Sequence, residues 1–167
     1  MTQRVIGIAG WKNSGKTTLT EHLVTELTRR GWRVSTVKRA HHDADVDHPG
    51  TDSHRHRMAG ATEVMLVTAN RWALMHENRG DQEPPLDELL VRLSPCDVVL
   101  VEGYKTGPHP KIETRRLAAR DRSPLPAEAN VIAIATDHVL EGADVPVFDI
   151  DAVSDLADFI ERSAGLA

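Results

Sequence analysis

The sequence is poor in the features that would take a protein out of the ordinary soluble class. Its 167 residues include one cysteine, Cys96, which excludes an internal disulfide and suits a reducing cytoplasm. No apolar run approaches the ~20 residues of a membrane span, and the first apolar stretch is too short and too close to Gly10 to be a signal peptide. There is no sustained basic tract and the net charge is −5, which argues against nucleic acid as the main partner and leaves room only for a local basic groove. Internal repeats, linkers and low-complexity blocks are also missing, so one domain spanning 1–167 is expected, long enough to bury a core without staples.

What is present begins at Gly10-Trp11-Lys12-Asn13-Ser14-Gly15-Lys16-Thr17-Thr18, which fits the phosphate-binding pattern G-x-x-x-x-G-K-[ST]. Its flanks are those the chemistry needs. Arg4 to Ala9 reads as a buried strand, and Leu19, Leu23, Val24 and Leu27 recur at helical spacing behind it. Glycines let backbone N–H groups turn inward around a phosphate, and the helix N-terminus adds its positive dipole end. Lys16 is then expected to reach the β- and γ-phosphates of a nucleoside triphosphate, and the Thr17 hydroxyl to ligate Mg²⁺.

The first helix is expected over Lys16 to Arg30, stopped by Gly31, followed by a second strand over Val34–Lys38 that makes a parallel pair with the first. A loop covers His41 to Gly50, Asp52 or Ser53 caps a short helix ending near Gly60, and Glu63–Thr68 with Arg71–His76 form a hairpin turning at Ala69-Asn70. Leu86, Leu89, Leu90 and Leu93 mark one helix face. Val98 to Glu102 is a continuous apolar strand closed by an acid. Tyr104 to Asn130 is irregular and admits one strand at Lys111–Thr114. Strands over Val131–Ala135 and Val145–Ile150 lead to a final helix capped by Asp151. This alternation predicts an α/β fold, three layers around a mostly parallel sheet.

Glu102 stands at the ligand edge of such a sheet, where phosphoryl-transfer sites place a second acid beside Mg²⁺, so it is the candidate metal or water-positioning group. Lys16 and Glu102 are thus the catalytic candidates. Asp97, at the opposite strand end, reads as structural. Lys38 and Arg39 end the second strand and, with His41 and His42, form either a second-anion shelf or a solvated cationic end. Five of nine histidines lie between His41 and His56. Asp43, Asp45 and Asp47 do not make a calcium loop, because His48 and His54 stand where glycine and glutamate are required. His41, His42 and Asp43 lack a second ligand group at zinc spacing. Arg115, Arg116, Arg120 and Arg122 form a lid over phosphates or a solvated loop. Asp137 is placed to accept from a guanine, although the segment lacks the Asn/Thr-Lys-x-Asp signature, and the residues alone leave the base open.

These motifs together resemble the molybdopterin-guanine dinucleotide biosynthesis protein B family. The resemblance rests on the loop at 10–18, the 38–53 segment with its His-His-Asp and Asp-x-Asp-x-Pro-Gly-x-Asp-Ser pattern, and Met58-Ala59-Gly60-Ala61. It rests also on Arg71 to Met75, Val101-Glu102-Gly103-Tyr104-Lys105 and Ala135-Thr136-Asp137, and so covers Val5 to Phe159. It implies a P-loop NTPase-like fold, GTP and Mg²⁺ binding, weak GTPase activity, a homodimer in the cytoplasm and an accessory role. The partner is the guanylyltransferase that joins GMP to molybdopterin, and molybdopterin itself is an implied ligand. Arg39 stands where the family often has His, which keeps a cation, and Thr51 where it often has Lys, which loses one. A small-molecule P-loop kinase, gripping its acceptor with Lys38, Arg39 and the arginine segment, is the competing reading; the 41–53 loop has no place in common kinase plans.

Overall fold

In a computed structural model of the protein, which describes residues 4–40 and 45–166, the chain order is β1 (Val5–Ala9), α1 (Lys16–Arg29), β2 (Val34–Lys38), α2 (Asp52–Met58), β3 (Glu63–Val67), β4 (Trp72–His76), α3 (Leu86–Leu90), β5 (Val98–Glu102), β6 (Lys111–Arg115), β7 (Val131–Thr136), β8 (Val147–Asp149) and α4 (Val153–Ala164). Two units result, one built from the chain up to Arg39 together with Leu93 onward, the other from Ala40 to Arg92.

The first unit holds a six-stranded sheet in the order β2-β5-β1-β6-β7-β8, parallel throughout. The α/β expectation with a mostly parallel sheet therefore holds. The expected β1–β2 pair does not form, because β5 enters between them. The reason is burial. All five residues of β5 are buried, which only an interior strand allows, whereas β2 alternates between exposed and half-buried positions and suits an edge. Val98 and Leu100 share a core with Ile6, Ile8, Ile112, Ala133 and Ala135, and with Leu19, Leu23 and Leu27 of α1 and Leu156, Ala157 and Ile160 of α4. Burying each of the three α1 leucines contributes roughly 1.5–3 kcal/mol. Helix α1 ends as expected: Gly31 adopts φ 96°, its N–H donates to Thr28 O, and Trp32 N–H donates to Leu27 O. Asp151 is not the cap of α4. The preceding residue is Ala152 with no side-chain bond, and Asp149 accepts from the Asp151 N–H instead.

Strand β6 was the least visible in the sequence and is central. Lys111 is fully buried, its ammonium donating to Gly107 O, His109 O and Ala129 O at 2.8 Å each. Glu113, also buried, accepts from Leu125 N–H and from Arg115 Nη2. Both charges are thus compensated by hydrogen bonds, the condition for burying them.

In the second unit, Thr51 rather than Asp52 or Ser53 caps α2, its hydroxyl accepting from His54 N–H. The Ser53 hydroxyl donates instead to Asp47 Oδ1. Arg57, on α2, gathers acids from both sides of its helix: Nη2 donates to both Asp45 oxygens at 2.9 Å, Nε stands 3.5 Å from Asp47 Oδ2, and Nη1 donates to Oε1 of Glu77, just past β4, at 2.7 Å. Asp45 and Asp47 therefore serve an arginine, in keeping with the failed calcium pattern. His41, His42 and Asp43 lie outside the described residues, and with them that part of the anion shelf and the zinc candidates. β3 and β4 form the expected antiparallel hairpin, with Thr68 N–H donating to Arg71 O across the turn. α3 stops at Leu90, short of the expected Leu93.

Candidate nucleotide site

The parallel register assembles the site. Lys38 pairs with Glu102 across β2 and β5, and Glu102 pairs with Ile8 across β5 and β1, so the C-terminal ends of three strands meet just before the glycine loop. Gly10 passes where no side chain fits: a Cβ there would lie 2.5 Å from both Ser14 Oγ and Thr114 Oγ1. Those two hydroxyls bond each other at 2.6 Å, and Thr114 also donates to Ala9 O. Ser14 thus ties the loop to β6. Asn13 and Gly15 take left-handed φ values of 63° and 90°, and no side chain caps the α1 N-terminus. Such a turn leaves the first helical N–H groups and the dipole end available to an anion.

Lys16 Nζ donates to Trp11 O at 2.7 Å, folded back across its own loop. Burial lowers its pKa, Glu102 opposes that shift, and Lys105 and Lys38 add to it. Thr17 Oγ1 donates to Glu102 Oε1 at 2.8 Å, and Lys38 Nζ stands 3.5 Å from the same oxygen. A hydroxyl and a carboxylate side by side form the hard oxygen donor set that suits Mg²⁺, so the residues present fit that ion. Lys16, Lys38 and Lys105 around them supply charge for a polyphosphate.

The other sequence candidates divide. Lys12 and Asn13 are exposed on the loop, and Thr18 is exposed in the first turn of α1. Trp11 Nε1–H donates to Ser123 O at 2.7 Å, which orients the indole. Arg39 N–H donates to Glu102 O, and its guanidinium lies 5.7 Å from the Tyr104 ring centroid. Asp137 follows β7 and accepts from His138 Nδ1 and Leu117 N–H, both at 2.9 Å, and from Arg116 Nε at 3.3 Å. The His138 bond first, then the Leu117 N–H, hold its pKa near 2. Asp97 is structural, accepting from Arg33 N–H at the far end of β5. The four arginines are not one group: Arg115 turns inward to Glu113, while Arg116 lays its Cδ 2.9 Å from where a Gly15 Cβ would be. Lys105 was missed as a site residue. Its signal lay in the Gly-Tyr-Lys that follows Glu102, and its Nζ sits 3.7 Å from the Trp11 ring centroid.

A family model described as molybdopterin guanine dinucleotide synthesis protein B matches residues 5–137. The chain belongs to this family. A molybdopterin-guanine dinucleotide biosynthesis adapter protein of Escherichia coli K12 is 41% identical over 159 residues, covering 93% of this chain and 90% of that protein. One of the same description from Haemophilus influenzae is 42% identical over 161 residues, covering 95% and 88%. Among solved structures, a MobB protein homolog from Bacillus stearothermophilus superposes with a TM-score of 0.75 at 29% identity, over 99% of this chain and all of that one. A second MobB crystal structure gives 0.76 at 25% identity. The family inferred from the motifs is therefore the right one, and MobB structures share the sheet and flanking helices described above.

Proposed function

We propose that this chain is a GTP-binding adapter of molybdenum cofactor biosynthesis. In this reading it works beside the guanylyltransferase that attaches GMP to molybdopterin, and turns GTP over slowly. The observation that carries the nucleotide part is the Lys16–Thr17–Glu102 constellation at the mouth of the glycine loop, with Thr17 Oγ1 2.8 Å from Glu102 Oε1. Gly10 to Thr18 would hold the phosphates, Thr17 and Glu102 the Mg²⁺, and Lys38 part of the remaining charge. Bound Mg²⁺ supplies charge neutralisation on the phosphate oxygens. The chain's own contribution is positional. Ser14 and Thr114 fix the loop, and Lys38 lies 3.5 Å from Glu102. The pathway assignment is supported by membership of the family and by the names of its relatives.

The base contact at Asp137 belongs to this proposal, with Arg116 and Leu117 already ordering its carboxylate. So do the homodimer, for which the hairpin of β3 and β4 offers an apolar face, and the cytoplasm as its compartment. No described helix is long and apolar enough to cross a membrane. The test is titration of GTP and ATP with and without Mg²⁺, followed by phosphate release and molybdopterin guanylylation with the transferase present. Mg²⁺-dependent GTP binding lost in Lys16→Ala, and faster guanylylation when the chain is added, are expected. ATP preference with transfer to a small acceptor overturns the adapter reading.

A further inference from the structure

The ligand edge of the sheet carries a second polar group beside the loop. Glu102 ends β5 on one side of β1, whereas Arg116 and Asp137 directly follow β6 and β7 on the other. Arg116 is held along its whole length. Its stem packs on the start of α1, with Cδ 2.9 Å from where a Gly15 Cβ would lie. Its carbonyl accepts from the Ala119 N–H, which closes a turn, and its Nε donates to Asp137 Oδ2 at 3.3 Å. Among the described residues its terminal Nη groups have no hydrogen-bond partner, and the side chain is 42% exposed. Asp137 is the more occupied of the pair. Its Oδ1 accepts from the Leu117 N–H and from His138 Nδ1, and its Oδ2 from Arg116. A carboxylate offers about four acceptor sites, so with those three donors in place one is left. A single acceptor takes an N–H from either purine, because guanine presents N1–H and a 2-amino group and adenine a 6-amino group. The choice between them therefore falls on another side chain. A guanidinium supplies it: its paired N–H donors suit O6 and N7 of guanine, and on adenine they meet the 6-amino group, itself a donor.

We infer that Arg116 is the residue that selects guanine, its Nη donors meeting O6 and N7 while Asp137 positions the guanidinium and takes a single N–H from the base. The inference rests on the proposed nucleotide reading, in which phosphates in the loop and a metal at Thr17 and Glu102 leave the β6 and β7 side for the base. It moves specificity from the carboxylate to the arginine. Displacement of a fluorescent GTP analogue in the presence of Mg²⁺ measures affinity for GTP, inosine triphosphate, 2-aminopurine riboside triphosphate and ATP. The first two carry O6 and the last two do not. Arg116→Met keeps a stem over Gly15 and removes every donor. It is expected to bind GTP and inosine triphosphate at least about fivefold more weakly, the lower end of what one good guanidinium–guanine pair contributes, with the other two triphosphates unchanged. Arg116→Lys keeps the charge without the paired donors, and its loss is expected to be smaller and confined to the same two nucleotides. An equal loss across all four triphosphates, as a charge acting on the phosphates or a displaced loop would give, overturns the inference. So does unchanged GTP affinity in Arg116→Met, or a natural protein that binds ATP as tightly as GTP. A natural protein that binds neither the analogue nor any of the four overturns the nucleotide reading itself, and that result precedes any variant.

Discussion

Thr17 Oγ1 and Glu102 Oε1 meet at 2.8 Å although 85 residues separate them. Helix α1 begins at Lys16 and β5 ends at Glu102, and the parallel pairing of β1 with β5 brings those two ends together. A hydrogen bond of this kind holds the two oxygens at one place, which would reduce the ordering cost of binding the proposed Mg²⁺ there. Glu102→Gln keeps the shape and removes the charge. Mg²⁺ is expected to lose most of its effect on GTP affinity in this variant, while GTP affinity without Mg²⁺ changes little. Calorimetric titration with and without the ion measures both. A Glu102→Gln protein with the full Mg²⁺ effect would remove Glu102 from the metal site.

Gly10 is the position where the loop meets β6. A Cβ there would lie 2.6 Å from the Thr114 carbonyl oxygen as well as 2.5 Å from the Ser14 and Thr114 hydroxyls. The carbonyl is backbone inside the sheet and has no rotamer to yield. Gly10→Ala is therefore expected to cost about 1–3 kcal/mol of stability, the usual range for overpacking, and to displace the loop. Thr114→Ala together with Ser14→Ala in the same background relieves both hydroxyl clashes but not the carbonyl one. Only partial recovery of the urea midpoint is expected in that triple variant, and full recovery would show the backbone contact to be unimportant.

The loop and its flanking strand and helix were readable because glycine spacing and apolar periodicity are local signals. Strand β6 was nearly hidden, since Lys111-Ile112-Glu113-Thr114-Arg115 has no hydrophobic pattern to mark it as interior. Its polar groups are buried only because partners from Gly107, His109, Ala129 and Leu125 meet them, and those contacts are tertiary. The strand order failed for a related reason. β1 and β2 are neighbours in sequence, but β5, buried on both faces, takes the place between them. Caps went astray by one residue where side chains had better partners, as Ser53 did in Asp47. Nothing local in the sequence announces that the Lys105 ammonium will lie over Trp11, because the two meet only in the fold.

His109 provides a pH signature. Its Nε2 is buried with no partner among the described residues, and burial first, then the Lys111 charge, hold its pKa near 4. An unfolded histidine titrates near 6.5. Between about pH 6.5 and 4 the unfolded chain therefore binds the proton that the folded chain refuses, and stability falls as pH falls across that window. The slope from this one group is at most about 1.4 kcal/mol per pH unit. Urea unfolding at several pH values is expected to show this loss in the natural protein and a flatter profile in His109→Leu. Equal slopes in the two proteins would mean that the ring is solvated in the fold.

The hairpin gives the last prediction. In the register of β3 and β4, Met65 faces Leu74 and Val67 faces Trp72, so the four side chains share one face. They are 57%, 41%, 66% and 60% exposed. A two-stranded sheet is marginal by itself, and a contiguous apolar face of this kind marks an interaction site. Among the described residues, neither outer edge of the pair has a strand partner in the sheet topology, which leaves main-chain donors and acceptors for a second chain. A second copy satisfies both needs at once, the apolar face and the open edges. Under the proposed homodimer, Trp72→Lys combined with Leu74→Lys places two like charges on that face and is expected to leave only monomer in sedimentation velocity where the natural protein sediments as a dimer, with the circular dichroism of the parallel sheet preserved. The double variant remaining dimeric at the same concentration would move the subunit contact away from the hairpin.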